Sequence, residues 1–313
     1  MDDDCSAIEV HALTRRYGAV QALAGIDLQI ARGEVFGLLG RNGSGKTTTV
    51  RILTTLTAPT SGHAKVLGLS VHRDAAAIRR RIGATMQEAA LDAGMTGREH
   101  LLLAAGLWGM SRRDARAQAD DLLERFALTE TADRQIGTYS GGMQRRLDIA
   151  TALLSGPAAL FLDEPTAGLD PQSRRALWEE IRTLSAEGTT IFLTTQYLEE
   201  AEALTSRVAV IDAGKIVAHG SAGELKTRHG RTRLDLRPAR TEDLACVLAL
   251  LERVGARERG GVVHVDLDPG RAAREITAIA ADLRDREIEL DSIAVRESSL
   301  EEVFVALTGS AIA

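Results

Sequence analysis

The chain has 313 residues, 44 % of them hydrophobic and 26 % charged, and a net charge of −6. That is the make-up of an ordinary globular protein with room for one large domain and a small one, and the acidic balance argues against a nucleic-acid partner. The opening MDDDCSAIEV lacks the apolar stretch of a signal peptide, no apolar run reaches the ~18 residues of a membrane span, and Cys5 and Cys246 lie too far apart for a disulfide framework or metal site. A reducing, cytoplasmic setting is therefore expected.

Ile8–Leu13 and Ile26–Ile30 alternate apolar and polar residues, as half-buried antiparallel strands do. Between them lies Tyr17, whose ring suits either stacking on a nucleotide base or an ordinary surface or core place. Val35–Leu39 is a short apolar run, predicted to be a strand buried on both faces. The next residues, Gly40, Arg41, Asn42, Gly43, Ser44, Gly45, Lys46 and Thr47, fit Gly-x-x-x-x-Gly-Lys-Thr, the phosphate loop. Gly40, Gly43 and Gly45 free the backbone to curl so that its N–H groups converge on a triphosphate. A helix from Thr48 to Leu56, with Val50, Leu53 and Leu56 on one face, adds the positive end of its dipole. Lys46 reaches the β/γ oxygens as a point charge, and the Thr47 hydroxyl supplies a Mg²⁺ ligand.

A Pro/Gly turn follows, then two short strands, the second being Ile82–Met86 ended by Gln87. The middle of the chain is helical: Arg98–Met110, then a segment capped by Ser111, with Asp114 three residues on. Tyr139-Ser-Gly-Gly-Met143 opens a further helix through Leu147, Ala150 and Leu154. Ala158–Leu162 is a buried strand that delivers Asp163 and Glu164 at its C-terminal end, where ligand chemistry sits in parallel α/β sheets. Asp163 suits Mg²⁺, and Glu164 suits taking a proton from an attacking water. Taken alone, the pair also fits a solvated loop start. Pro171–Ala186 reads as a helix, Thr190–Thr194 as a buried strand before Gln196, and Val208–Asp212 and Lys215–His219 as a hairpin about Ala213-Gly214.

The composition shifts near Leu225 to a basic stretch, KTRHGRTR, which is expected to be a solvated joint. Beyond it the pattern is βαββαβ, the split βαβ arrangement, with a helix over Thr241–Val254 holding Cys246 as a small core residue. A last helix starts at Ser298 or Ser299, with Leu300, Val303, Phe304 and Leu307 on its apolar face. This tail carries no catalytic constellation and reads as a packing or interaction module.

The fixed order of GRNGSGKT, Gln87, YSGGM, LFLDEP, Ala167-Gly-Leu-Asp170 and Gln196 resembles the nucleotide-binding ATPase subunit of ABC transporters, over roughly Ile8–Leu225. TTQYLEEAE and SLEEVF make it most similar to the daunorubicin/doxorubicin-resistance type of drug exporter. The resemblance implies an α/β fold: a P-loop ABC cassette over 1–224, with a mixed-sheet core, an antiparallel β subdomain and a helical subdomain at about 88–155. An α+β accessory domain follows over 225–313. It further implies ATP and Mg²⁺ as ligands, a homodimer of ATPase subunits, and a separate membrane permease on the cytoplasmic side of the cell membrane. The region Arg98–Phe126 is then the expected docking surface.

By the same resemblance Tyr17 stacks on the base, Gln87 senses Mg²⁺ and the water, and Asp170 contacts the other subunit. Tyr139, Ser140, Gly141, Gly142 and Met143 form the signature that closes on ATP held by the other copy. Two positions depart from the family pattern. Gln196 replaces a His and can hydrogen-bond but not relay a proton, which leaves Glu164 as the base. Met143 replaces a Gln, which leaves the backbone donors and Ser140 unaffected. The competing reading is a non-transport ABC ATPase acting in translation, DNA maintenance or cofactor assembly. The paired cassettes or long coiled-coil insertions typical of such proteins are not visible here.

Overall fold

The computed structural model describes residues 6–309, so Cys5 lies outside the described residues. β1 (Ser6–Tyr17) and β2 (Val20–Ala31) form a long antiparallel pair, with Ile8 and Val10 facing the core across from Ile30 and Leu28. β3 (Val35–Leu39) is buried at every position, as its unbroken apolar run requires. It feeds the phosphate loop and α1 (Lys46–Leu53). β4 (Ser61–Val66), β5 (Leu69–Ser70), α2 (Ala75–Arg79) and β6 (Ile82–Thr85) lead into the helices α3 (Gly97–Leu107), α4 (Arg112–Arg125) and α5 (Gly141–Leu153). β7 (Ala159–Asp163), α6 (Pro171–Ala186), β8 (Thr190–Thr195), α7 (Leu198–Leu204), β9 (Arg207–Asp212) and β10 (Lys215–Gly220) follow.

Two sheets organise this first part. The antiparallel one has the order β2-β1-β4-β5, and the other runs β10-β9-β3-β8-β7-β6. Within the second, β9, β3, β8, β7 and β6 are mutually parallel. Its two faces bury different cores. Phe36, Phe161 and Phe192 face α1 and the antiparallel sheet, while Leu160, Leu162, Ile191 and Leu193 face α3 to α6. Strict alternation along the strands creates this division. The hairpin between β9 and β10 turns at Ala213-Gly214, both at positive φ, as a two-residue turn of the primed type demands.

The chain divides into two compact units, Met1–His219 and Gly220–Ala313. The smaller one holds α8 (Ala222–His229), β11 (Thr232–Pro238), α9 (Leu244–Leu250), β12 (Arg257–Arg259), β13 (Val262–Leu267), α10 (Ala272–Asp285), β14 (Leu290–Glu297) and α11 (Leu300–Thr308). Its sheet order is β12-β13-β11-β14, antiparallel throughout, which is the split βαβ topology. Leu234, Leu236, Val263, Val265, Ile279 and Leu283 form its core.

Four local expectations need correction. The stretch expected to be a solvated joint starts inside α8, because the Ser221/Glu224 capping box nucleates a helix there and Leu225 is buried. α1 stops at Leu53, since Thr55 turns to φ 63°, and Leu56 is left exposed rather than on the helix face. The single helix expected over Thr241–Val254 is only α9, flanked by 3-10 turns. Cys246 is exposed on α9 and is not a core residue, because Val247 and Leu251 take the buried face.

Candidate active site

Register places the chemistry. Asp163 is paired with Thr194, and Leu39 with Thr195, so β3, β7 and β8 end level with one another. The phosphate loop, Asp163-Glu164 and Gln196 therefore emerge from one carboxyl edge of the parallel sheet, with Gln87 just beyond β6 on the same edge.

The loop glycines are required by contacts. A Cβ on Gly40 would lie 2.5 Å from the Ile211 carbonyl and from Ser44 Oγ, and one on Gly45, at φ 116°, would lie 2.7 Å from the Ala22 carbonyl. The loop is pinned by Gly40 N–H to the Thr195 carbonyl (3.1 Å) and by Gly214 N–H to the Ser44 carbonyl (2.9 Å). Arg41, Asn42 and Gly43 form its open side, and Thr47 and Thr48 are half-buried at the start of α1. Lys46 is buried. Its Nζ donates to the carbonyls of Gly40 (2.8 Å) and Arg41 (3.1 Å) and lies 3.0 Å from Glu164 Oε1. The loop cation and the expected base are thus one another's direct partners.

Asp163 is fully buried. Its Oδ1 accepts from the Thr194 hydroxyl at 2.5 Å, while Oδ2 is buried without a hydrogen-bond partner. A buried carboxylate oxygen left in this condition suits a cation, so the residues fit a Mg²⁺ site. Glu164 adopts φ 49°, a left-handed backbone rare for a side-chain-bearing residue and often found where function over-determines the chain. Its N–H donates to the Thr194 carbonyl (3.2 Å) and hydroxyl (3.1 Å).

The signature residues gather elsewhere in the unit. Ser140 caps α5, its Oγ accepting from the Met143 N–H at 3.3 Å, and Gly141 is exposed at that helix start. Gly142 packs against α6 so closely that a Cβ would lie 2.6 Å from Ser173 Oγ. Asp170 caps α6, accepting from the N–H groups of Gln172 (3.0 Å) and Ser173 (2.9 Å) and from Ser173 Oγ (2.6 Å). Those bonds from Ser173 hold its carboxyl below the usual carboxylate range. The structure therefore brings Asp170 and the signature together. Tyr139 faces inward instead, its hydroxyl donating to the Thr131 carbonyl at 2.7 Å.

Tyr17 stands at the tip of the β1–β2 hairpin, 43 % exposed, with the Arg15 guanidinium carbon 4.4 Å from its ring centroid. Gln87 is exposed, two residues past the end of β6, and Gln196 is half-buried directly after β8. Two buried charges escaped the sequence reading. Arg145 reaches four acceptors from α5, and burial pulls its pKa down. Glu200 on α7 accepts from Trp178 Nε1–H at 3.3 Å, and burial pushes its pKa up. The signal for Arg145 was its spacing: Gly142, Arg145, Ile149 and Leu153 share the buried stripe of α5.

A glycine-rich loop with its lysine, a buried Asp-Glu at the end of a neighbouring strand, and a parallel sheet joining them define a P-loop nucleotide hydrolase. The family model described as ABC transporter matches residues 23–167. The chain is 45 % identical over 311 residues to the daunorubicin resistance ATP-binding protein DrrA3 of Streptomyces coeruleorubidus, covering 97 % of this chain and 96 % of that one. Against the daunorubicin/doxorubicin resistance ATP-binding protein DrrA of Streptomyces peucetius identity is 44 %, covering 97 % and 92 %. A dimeric ATP-binding cassette in a post-hydrolysis state, bound to ADP and Pi, matches 68 % of this chain and 98 % of its own at 25 % identity and a TM-score of 0.63. The chain belongs to the ABC transporter family of ATP-binding proteins and is an ATPase of that family.

Proposed function

We propose that this chain is the ATP-hydrolysing subunit of an exporter for a drug-like, hydrophobic compound. In this reading it dimerises on ATP and drives a separate membrane permease from the cytoplasmic side. The observation that carries the export reading is the near end-to-end likeness to daunorubicin resistance ATP-binding proteins. Those relatives favour transport over a role in translation, DNA maintenance or cofactor assembly. No helix among the described residues is long and apolar enough to cross a membrane.

The residues divide the work as follows. Gly40 to Thr48 receive the triphosphate through backbone N–H groups, and Tyr17 stacks on the base. Asp163, Thr47 and Gln87 would hold Mg²⁺, which when bound neutralises charge on the phosphate oxygens. Lys46 turns from Glu164 to the β/γ oxygens, and this frees the Glu164 carboxylate to take the proton of the attacking water. Gln196 orients that water by hydrogen bonding. The α5 start at Ser140 to Gly142, with Asp170 beside it, offers N–H donors to the γ-phosphate of a second copy. Nucleotide then favours the closed pair through these extra contacts alone, and hydrolysis removes them.

The test is Glu164→Gln in the full chain. ATP binding is expected to persist, turnover to fall about 100-fold or more, and a dimer to accumulate on gel filtration with ATP. Unchanged turnover would remove Glu164 from its role, and a monomer at saturating ATP would remove the shared site.

A further inference from the structure

Glu164 is flanked on both sides by carbonyls that a single side chain holds. Arg145 donates from Nη2 to the Asp163 carbonyl (2.8 Å) and from Nε to the Pro165 carbonyl (2.9 Å). Its Nη1 donates to the carbonyl of Met86, the residue before Gln87, at 2.7 Å, and to Asp148 Oδ2 at 3.2 Å. The Arg145 side chain is 8 % exposed. A planar fork of fixed donors is the group suited to several carbonyls at once, and Lys cannot replace it.

Two consequences follow. The left-handed φ of 49° at Glu164 is costly for a residue with a Cβ, and Arg145 holds the carbonyls of the residues on either side of it, Asp163 and Pro165. The same fork ties that segment to the end of β6, where Gln87 begins. Arg145 itself sits on α5, one turn beyond Ser140 and Gly141. Any shift of α5 when its N-terminus seats on nucleotide is therefore carried, through one rigid side chain, to Glu164 and to the Gln87 segment.

We propose that Arg145 is a positioning residue that makes the base and Gln87 of one site answer to nucleotide held by the other copy. This inference rests on the reading that Ser140 to Gly142 act across a dimer. Arg145 does not touch the reacting atoms. It acts by setting where Glu164 and Gln87 stand, and misplacement of about 1 Å is enough to cost a reaction roughly 100-fold.

The test uses the full chain with Arg145→Lys. Nucleotide affinity, read with a fluorescent ATP analogue, and the ATP concentration at which the dimer forms are expected to stay within about threefold of wild type, because the phosphate loop and Ser140 are untouched. The kcat of the dimer is expected to fall about 10- to 100-fold. Arg145→Gln, which places a planar amide donor in the same pocket, repeats the measurement with a different fit. Asp148→Asn leaves the fork's three carbonyl bonds in place and is expected to keep kcat within about threefold. A kcat within twofold of wild type in either Arg145 variant overturns the proposal. So does an Asp148→Asn loss as large as that of the Arg145 variants, which would mark general packing damage, or joint loss of dimerisation and turnover. Absence of an ATP-dependent dimer in the Glu164→Gln chain would instead strike the shared-site reading, so the two failures are distinguishable.

Discussion

Asp148 carries a charge question that its neighbours make measurable. Burial raises its carboxyl to about 6, against the opposing pull of Arg145. A carboxyl whose pKa is higher folded than unfolded favours the fold most when protonated. That contribution is complete below the ordinary Asp range and is lost as pH rises through about 6. Asparagine does not titrate. The stability of wild type relative to Asp148→Asn is therefore expected to drop between pH 4 and pH 7.5, by on the order of 2 kcal/mol, in urea unfolding at each pH. A pH-independent difference would show that the carboxyl is not held as described. The loop residues were readable before the fold because Gly, Lys and Thr at fixed spacing have few other uses. The spacing of Arg145 on the buried stripe of α5 was readable, but its partners were not. Which acceptors surround a buried arginine depends on strands far from it in sequence.

Whole elements were legible where a cap and a period coincide. Asp170 and Pro171 open α6, and a helix from Pro171 to Ala186 is what that pair plus the apolar stripe predicts. Where the period is apolar but the exit is not marked, prediction fails, as at the overlong α1. At α11 two serines had the capping spacing. The structure selects Ser299, whose Oγ accepts from the Glu302 N–H at 3.2 Å, while Ser298 exchanges hydrogen bonds with Arg231. Ser299→Ala is expected to make opening of α11 easier by about 1 kcal/mol, read as faster native-state hydrogen exchange of its amides. Unchanged exchange there would mean that packing of Leu300, Val303 and Phe304 alone holds the helix.

At the scale of the molecule, the residues proposed to carry catalysis lie in the larger unit, and the smaller unit has its own closed core. A chain ending at His219 is accordingly expected to bind the fluorescent ATP analogue within about threefold of the full chain. Folded but binding-deficient protein would place part of the site beyond His219. We propose that the smaller unit serves as an accessory domain with an interaction role. Its split βαβ pattern was visible in advance because strands and helices alternate there with clear periods.

Local chemistry wrote the phosphate loop, the Asp-Glu pair and most element types into the order of residues, since each depends on neighbours within a turn or a strand. Which of those groups meet is a different matter. That Lys46 pairs with Glu164, that Gly142 must be bare to admit Ser173, and that Arg145 spans Met86, Asp163 and Pro165 follow from the parallel register of strands more than a hundred residues apart in places. Only packing of the folded chain sets that register, because both faces of the sheet are buried and a slip by one residue would turn its phenylalanines and leucines to the wrong cores.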